Sequence, residues 1–317
     1  MATDLTCKLG ALELSSPLIA ASGCFGYGTE YSELTPLHTF GAIVTKTITP
    51  QPRAGNAIPR IWETPTGGMI NSIGLANVGI DRYIAEKLPE LRNYPTKVIV
   101  SVAGNTVSEY RELVAKMEPH TEWSALELNI SCPNVKEGGI SFGVDPIMTE
   151  TVVRECRKET TRPLIVKLTP MASSAAGIAK ACEAAGADIL SLVNTFVGIA
   201  IDPETRKPRI ATITGGYSGP PIKPMALAKV WEVYNATKLP IIGMGGIASA
   251  EDVVEFFLAG SSAVQIGTMI YVEPAISATI LEKLQEYGTR HKLSMLSELT
   301  GALKRPQPKP IVCTTAG

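Results

Sequence analysis

The stretch LPIIGMGGIASAEDVVEFFLAGSSAVQIGT, from Leu239 to Thr268, contains two short apolar segments separated by a longer amphipathic one. The apolar segments, LPIIGMG and SAVQIGT, have the length and composition of buried strands. The spacing of apolar residues in AEDVVEFFLAG favours a helix between them. A strand, a helix and a second strand in this order are typical of a parallel sheet. The stretch therefore predicts one repeat of an α/β fold.

The same repeat recurs along the chain. Six further strand-like segments are SPLIAAS from Ser16, GAIVTKT from Gly41, KVIVSVAG from Lys97, SALELNIS from Ser124, PLIVKLT from Pro163 and DILSLVN from Asp188. Further helical patterns are VSEYRELVAKM, PIMTETVVRECRKE, AAGIAKACEAAG and KPMALAKVWEVYNAT. Eight near-continuously apolar strands, covered on the outside by helices, predict a closed (β/α)8 TIM barrel. An open, doubly wound sheet is the alternative.

The remaining segments add small features to a single predicted domain of residues 1–317. TCKLGALEL, from Thr6, predicts a small N-terminal hairpin that caps the lower end of the barrel. AIDPETRKPRIATITGGYSG, from Ala200, predicts a protruding flap between the sixth strand and its helix. The proline-rich end of the chain, residues 305–317, is predicted to be poorly ordered.

Bulk composition argues against several classes of protein. The net charge is −1, so neither nucleic acid nor an anionic membrane is an expected partner. The N-terminus lacks a basic start followed by an apolar block, which predicts a cytoplasmic protein without a signal peptide. The six cysteines are then expected to be free thiols. No CxxC pair occurs, so neither structural zinc nor an iron–sulfur cluster is expected within this chain.

The chemistry of a TIM barrel lies at the carboxyl ends of its strands. The residues at these predicted ends are, in order, Ser22, Lys46, Ser101, Asn129, Lys167, Asn194, Gly245–Gly246 and Gly267–Thr268. A single lysine at a strand end is usually a solvated surface residue. Two lysines, two asparagines and two glycine turns together predict a ring around an anionic ligand that forms hydrogen bonds.

The glycine turn GMGGIA, from Gly243, matches the loose dinucleotide fingerprint G-x-G-x-x-[GA]. That fingerprint also requires an acidic residue at the end of the next strand. Here the next strand ends in Gly267–Thr268. A phosphate cradle of backbone N–H groups from the seventh and eighth strand loops is therefore favoured, with Ser249 and Asp252 forming a capping box for the helix.

Cys132 lies in NISCPNVKEGG, just past the fourth predicted strand. Buried cysteines are usually small apolar fillers. Asn129 and Asn134 flank this one, which favours a reactive thiol, and Gly138–Gly139 provides a hinge. No histidine lies at a strand end, so a Cys–His nucleophile is not indicated. A thiolate acting as a general base would work best near its intrinsic pKa of about 8.5.

Carboxamides recur in two further segments. INSIGLANVG carries Asn71 and Asn77 and, taken alone, favours a turn; VNTF ends the sixth strand with Asn194 and Thr195. Carboxamides both donate and accept hydrogen bonds, which suits a flat imide or amide ring. GGYSGPPIKP follows the flap, and Gly219 within it could approach a phosphate or a flavin.

Seven motifs together resemble the catalytic subunit of class 1B dihydroorotate dehydrogenase. They are TKTITPQPRAGNAIPRIWETPTGGMINSIGLANVGID, NISCPNVKEGG, VKLTP, VNTF, GGYSGPPIKP, PIIGMGGI and QIGTM. The resemblance runs in order from about Ser16 to about Gly301. Class 2 enzymes have serine as the base and an N-terminal extension. Class 1A enzymes, which use fumarate, share the cysteine but are less similar in the block from Lys46 to Asp81.

The resemblance implies an FMN barrel that oxidises (S)-dihydroorotate to orotate in pyrimidine biosynthesis. Cys132 would remove the C5 proton while the C6 hydride passes to the flavin. The implied substrate-binding residues are Lys46, Asn71, Ser72, Ile73, Gly74, Leu75, Asn129, Asn134, Asn194 and Thr195. The implied flavin-binding residues are Ser22, Lys46, Thr47, Ser101, Asn129, Lys167, Val193, Gly219, Gly245, Gly246, Gly267 and Thr268. Relatives often have asparagine where this chain has Ser101, so that contact departs from the family pattern.

The resemblance also implies a partner. Electrons would pass to NAD through a separate subunit that carries FAD and a [2Fe–2S] cluster, in a heterotetramer built on a homodimer of this chain. Three alternatives remain open: a class 1A enzyme, a barrel like dihydropyrimidine dehydrogenase that acts on uracil, and a Schiff-base lyase that uses Lys167.

Overall fold

The computed structural model describes the backbone of residues 2–131, 136–137 and 140–305, and the side chains of residues 2–131 and 142–305. Eight parallel strands form a closed barrel. They are β1 (Leu18–Ala20), β2 (Ala42–Val44), β3 (Lys97–Val102), β4 (Ala125–Asn129), β5 (Leu164–Lys167), β6 (Ile189–Leu192), β7 (Ile241–Met244) and β8 (Ala263–Ile266). Each strand pairs with the next in chain order, and β8 closes on β1. The predicted (β/α)8 barrel is confirmed, and the open sheet is wrong.

Six helices of nine or more residues cover the barrel within the described part of the chain. They are α1 (Val107–Met117), α2 (Pro146–Arg157), α3 (Ala175–Ala184), α4 (Lys223–Tyr234), α5 (Ala250–Leu258) and α6 (Ile276–His291). The first five lie within the predicted helical patterns, whereas α6 was not predicted. Between β2 and β3 the chain instead forms a helical turn at Ile80–Arg82, a π-helix at Tyr83–Lys87 and a 3-10 helix at Leu88–Leu91.

The N-terminal hairpin closes the lower end of the barrel. Its strands, Cys7–Leu9 and Leu12–Leu14, pair antiparallel. The buried side chains of Leu9 and Leu12 belong to the same apolar cluster as Ile99 of β3 and Ile165 of β5, which line the barrel interior. The predicted hairpin at the lower end of the barrel is confirmed, and its burial removes the lower barrel opening from solvent.

The predicted flap is largely a sheet. Its strand Thr214–Ser218 pairs antiparallel with Phe196–Ile199, which lies just before the predicted flap. Met69–Asn71 and Ile61–Glu63, from the segment that follows β2, join them. This four-stranded unit, here called the cap sheet, lies over the carboxyl ends of the strands. A short hairpin of Ile201–Asp202 and Lys207–Pro208 extends it.

Two further features complete the description. Lys136–Glu137 and Ile140–Ser141 pair antiparallel in the segment between β4 and α2. Residues 306–317, most of the tail predicted to be poorly ordered, lie outside the described residues. Across the ranges given above, the structure contains no helix long and apolar enough to cross a membrane.

Candidate active site

A cavity of about 780 Å³ opens at the carboxyl ends of the barrel strands, beneath the cap sheet. Its volume lies within the roughly 300–1,000 Å³ typical of small-molecule sites. Most of the predicted site residues line it. These are Ser22, Lys46, Thr47, Asn71, Ser72, Ile73, Gly74, Leu75, Asn129, Lys167, Val193, Asn194, Thr195, Gly219, Gly245, Gly246, Gly267 and Thr268. The structure thus brings together residues from Ser22 to Thr268, which are far apart in the chain.

Three predicted site residues are not on this wall as described. Cys132 and Asn134 lie outside the described residues. Ser101 is fully buried, and its hydroxyl forms a hydrogen bond of 3.0 Å with the Thr47 hydroxyl. Ser101 therefore lies behind the cavity wall and supports Thr47, rather than facing the cavity itself.

A row of hydroxyl groups orients one side of the cavity. The Ser22 hydroxyl donates to the Thr45 carbonyl (2.8 Å) and lies 3.1 Å from the Thr47 hydroxyl. Asn129 donates from Nδ2 to the same Thr47 oxygen at 3.4 Å. Because each group has a partner in the protein, the wall is preorganised and a ligand does not have to order it.

The two strand-end carboxamides are coupled through a serine that was not predicted. The Ser131 hydroxyl donates to Asn129 Oδ1 at 2.6 Å, and Asn194 Nδ2 donates to Ser131 Oγ. The Thr195 N–H in turn donates to Asn194 Oδ1 at 2.8 Å. These bonds fix the direction of both amides, so the wall presents donors and acceptors in a set pattern.

Two ammonium groups face the cavity: that of Lys167, which is buried, and that of Lys46, which is half-buried. Among the described residues, no carboxylate lies within 4.0 Å of Lys46 Nζ. Burial lowers the pKa of this lysine, the Cys24 thiol opposes that shift, and the positive charges of Lys167 and Arg60 lower the pKa further. Lys167 has one carboxylate nearby, with its Nζ 4.0 Å from Glu127 Oε1. A buried cation without a counter-ion is costly unless a ligand supplies the negative charge. The cavity therefore favours an anionic ligand.

Glycine turns form the opposite end of the cavity. Gly245 (φ +125°), Gly246 (φ +79°) and Gly219 (φ +96°) adopt backbone conformations that favour glycine. A Cβ at Gly246 would lie 2.9 Å from the Gly219 carbonyl oxygen. Within the described residues, the backbone N–H groups of Gly245, Gly246 and Gly267 have no acceptor. Free N–H groups on a close, side-chain-free backbone suit a phosphate.

The predicted capping box at the start of α5 is confirmed. The Asp252 N–H donates to Ser249 Oγ at 3.2 Å, and the Ser249 N–H donates to Asp252 Oδ2 at 3.0 Å. Asp252 also accepts from the Ala248 N–H and from Lys223 Nζ. Because the Asp252 carboxylate already places a negative charge at the start of α5, a phosphate would be held by the strand loops rather than by the first turn of α5.

The segment from Ile70 to Gly79 divides into two parts. Asn71 faces the cavity, where its Nδ2 donates to the Gly216 carbonyl of the cap sheet at 3.3 Å. Asn77 is buried and structural: its Nδ2 donates to Thr49 Oγ1 and to the Leu75 carbonyl, and its Oδ1 accepts from two backbone N–H groups. The segment therefore carries both a ligand-facing carboxamide and the bonds that hold it.

The predicted ring omitted several residues at the cavity. Cys24, Gln265 and Tyr271 line it, and Glu127 lies directly behind Lys167. Glu127 could have been found from the alternation of side chains along a strand, because it lies two residues before Asn129 and so shares its face. Gln265 has the same relation to Gly267.

The residues present fit a flavin phosphate together with an anionic substrate. Unpaired backbone N–H groups and a glycine cradle suit the phosphate, the fixed carboxamides suit a flat ring with imide groups, and the two lysines supply positive charge. A TIM barrel with such a site defines the class of enzymes that bind a phosphorylated cofactor and an anionic substrate at the strand ends.

The chain belongs to the dihydroorotate dehydrogenase family, whose sequence model matches residues 4–287. Three similar proteins carry the name dihydroorotate dehydrogenase B (NAD(+)), catalytic subunit. The protein from Geotalea daltonii is 51% identical over 95% of this chain and 98% of its own length. Those from Citrifermentans bemidjiense and Pelobacter propionicus are 48% and 50% identical over 95% and 96% of this chain, and 98% and 100% of their own lengths. The family favours the redox interpretation over a Schiff-base lyase.

Proposed function

We propose that this chain is a single-domain FMN enzyme that oxidises (S)-dihydroorotate to orotate in pyrimidine biosynthesis. The family assignment and the names of the similar catalytic subunits support this reaction. The observation that carries the choice of substrate is the Lys46 ammonium, which lies half-buried at the cavity without a carboxylate partner among the described residues. The carboxylate of dihydroorotate is a counter-ion of the required sign and size.

Carboxamides and hydroxyls would hold the ring of the substrate. The residues that face the same cavity as Lys46 are Asn71, Asn129, Asn194 and Thr195. Hydrogen bonds with Gly216 and Ser131, and between Thr195 and Asn194, fix their orientation. A dihydropyrimidine ring presents alternating N–H and C=O groups, which paired carboxamides can match. Asn134 and the segment Ser72–Leu75 complete the proposed substrate-binding set.

Cys132 is proposed as the base that takes the C5 proton. The four cysteines whose side chains are described do not suit this role. Cys156 and Cys182 are buried among apolar side chains, and burial raises their pKa; burial also raises the pKa of Cys7 to about 12. Cys24 reaches the cavity, but burial raises the pKa of its thiol as well. These thiols stay protonated at neutral pH, which supports the assignment of the base to Cys132 rather than to any of them.

FMN is proposed as the flavin, and it would accept the C6 hydride when bound. Its phosphate would lie at the N–H groups of Gly245, Gly246 and Gly267, with Gly219 and Thr268 beside them. Ser22, Thr47, Asn129, Lys167 and Val193 are proposed to contact its ring system. Ser101 would act on it only through Thr47, given the position of its hydroxyl.

A partner subunit with FAD and a [2Fe–2S] cluster is proposed as the route to NAD. The similar proteins are named as catalytic subunits of an NAD(+)-linked enzyme, which implies a second subunit in their case. For this chain we propose a homodimer within a heterotetramer. Its cytoplasmic location stays a prediction from the sequence.

The test is an absorbance spectrum of the purified chain with and without dihydroorotate, recorded without oxygen. We expect flavin bands that bleach when dihydroorotate is added, and NAD reduction only after the partner subunit is supplied. Equal rates with fumarate would move the chain to class 1A. Turnover of dihydrouracil that survives the substitution Lys46→Met would support the uracil alternative. A colourless protein whose Lys167 is trapped by borohydride with substrate would refute the proposal.

A further inference from the structure

A carboxylate lies buried inside the barrel, one layer below the cavity. Glu127 projects from β4 and is fully buried. Its Oε2 accepts hydrogen bonds from Ser191 Oγ and from Gln265 Nε2, both at 3.0 Å. Ser191 and Gln265 are themselves buried, so the carboxylate is held from β6 and β8 at the same level of the barrel. A fully buried carboxyl group that does not contact the substrate cavity requires an explanation.

The second oxygen of Glu127 indicates its charge. Oε1 has no hydrogen-bond partner among the described residues, and the nearest cation is Lys167 Nζ at 4.0 Å. The Gln265 amide donates to Oε2, and the charged group nearest to Oε1 is an ammonium, so a donor and a positive charge both stabilise the ionised form. The arrangement therefore favours an ionised carboxylate paired with Lys167 by charge alone.

The distance has a consequence for Lys167. At 4.0 Å the ammonium is beyond hydrogen-bond reach of Glu127, and Lys167 Nζ forms no hydrogen bond with any other described residue. The Lys167 side chain also lines the cavity. Its N–H donors thus remain available to whatever the cavity binds, while its positive charge is offset from below.

We propose that Glu127 is the buried counter-ion of Lys167, a positioning residue that offsets the charge of this lysine beside the flavin and so lowers the reduction potential of the cofactor. The proposal rests on the proposed flavin function of the site. Reduction of a flavin adds negative charge, which an unopposed ammonium stabilises and a nearby carboxylate destabilises. The two strands β4 and β5 thereby set the potential through one charged pair.

The test is a dye-coupled redox titration of the flavin in wild type and in Glu127→Gln, with the apo proteins compared by thermal unfolding. Glutamine has nearly the same shape as glutamate and can still accept hydrogen bonds from Ser191 and Gln265, but it carries no charge. We expect the ratio of reduced to oxidised flavin at a fixed potential to rise about tenfold, a positive shift of about 30 mV for a two-electron couple. A potential unchanged, or shifted negatively, in a folded, flavin-loaded variant would overturn the proposal.

Two further variants make the result specific. Glu122→Gln removes the same charge at the opposite end of β4, where Glu122 pairs with Arg92 at 3.0 Å, and should leave the potential unchanged. Lys167→Gln should shift it negatively, and the double variant of Glu127 and Lys167 should lie between the two single variants. A purely structural role of Glu127 would not produce this compensation.

Other outcomes are also decisive. If wild type binds no flavin, the proposed function fails and this inference falls with it; if flavin binds with an unchanged potential in Glu127→Gln, only the inference fails. If Glu127→Gln does not fold, the infrared spectrum of wild type at pH 8 decides instead. A protonated carboxyl band there would overturn the proposal, because Glu127 is the one fully buried acid among the described residues, and absence of that band would support it.

Discussion

Replacing Gly246 by alanine should separate the phosphate end of the cavity from the rest of the fold. The added Cβ would lie 2.9 Å from the Gly219 carbonyl oxygen and 2.9 Å from the Lys223 backbone nitrogen. Both are backbone atoms, so no side-chain rotation relieves the contact. The φ of +79° adds a cost of about 1–2 kcal/mol for any residue with a Cβ. The cradle must then open.

The loss of affinity follows from the hydrogen bonds at stake. A charge-assisted hydrogen bond contributes about 1.5–3 kcal/mol. Losing one or so at the phosphate would therefore raise the Kd for FMN about 10- to 100-fold, at about 1.4 kcal/mol for each factor of ten. The assay is quenching of FMN fluorescence on titration into apo protein, with urea unfolding of the same samples to confirm that the variant is folded.

The matched control is Gly10→Ala. Gly10 also has a positive φ, +62°, but a Cβ there meets no atom within 4 Å, and the residue lies in the hairpin at the closed end of the barrel. This variant should lose about 1–2 kcal/mol of unfolding free energy and keep its FMN affinity. A folded Gly246→Ala protein that binds FMN within about twofold of wild type would refute the reasoning, since a tenfold effect is the smallest the geometry allows.

Three other substitutions test separate parts of the site. Lys46→Met should lower kcat/KM for dihydroorotate about 10- to 100-fold through loss of one charge-assisted bond. Because burial lowers the pKa of Lys46, the wild-type KM should also rise at high pH, where the lysine loses its charge. If the KM of the variant rises in the same way, Lys46 is not the group that binds the carboxylate. Cys132→Ser should keep FMN and orotate binding but reduce anaerobic flavin reduction at neutral pH by about 10²–10⁴-fold, while wild-type activity rises towards a pH of about 8.5; an unchanged rate would remove the thiol from this role. Asn77→Ala should cost about 2–4 kcal/mol in urea unfolding, because Thr49 and Gly79 lose buried partners, and a cost below about 1 kcal/mol would show that the segment rearranges.

The barrel was predictable because its strands carry their own signal. Each is nearly continuously apolar, and each glycine turn or helix start follows at a regular position, as in Ile241–Met244 followed by Gly245 and the cap at Ser249. Helix α6 gave less warning, since its apolar residues are interspersed with charged ones and it has no side-chain N-cap. The local sequence pattern was sufficient to predict elements whose apolar residues form the core. It was insufficient for α6, whose formation depends on packing against the completed barrel.

The cap sheet could not be predicted from local pattern. Met69–Asn71 is three residues long, and its partner Thr214–Ser218 lies well over a hundred positions away. Strand pairing of this kind depends on where the closed barrel places both loops. The same holds for Ser101: a strand-end residue was expected on the wall, but its side chain faces the layer beneath, beside Glu127 in the β3–β4 register.

The cavity is closed at its lower end. Below it the barrel is filled by buried side chains, from Glu127 and Gln265 down to Leu9 and Leu12 of the hairpin, so no molecule can leave on the side away from the cap sheet. Within the part of the molecule that the structure describes, substrate therefore enters and product leaves through the same opening. Bound product therefore blocks the entry of the next substrate molecule, so the shape of the cavity leads to competitive product inhibition. A small molecule bound at that opening would prevent both substrate entry and product release.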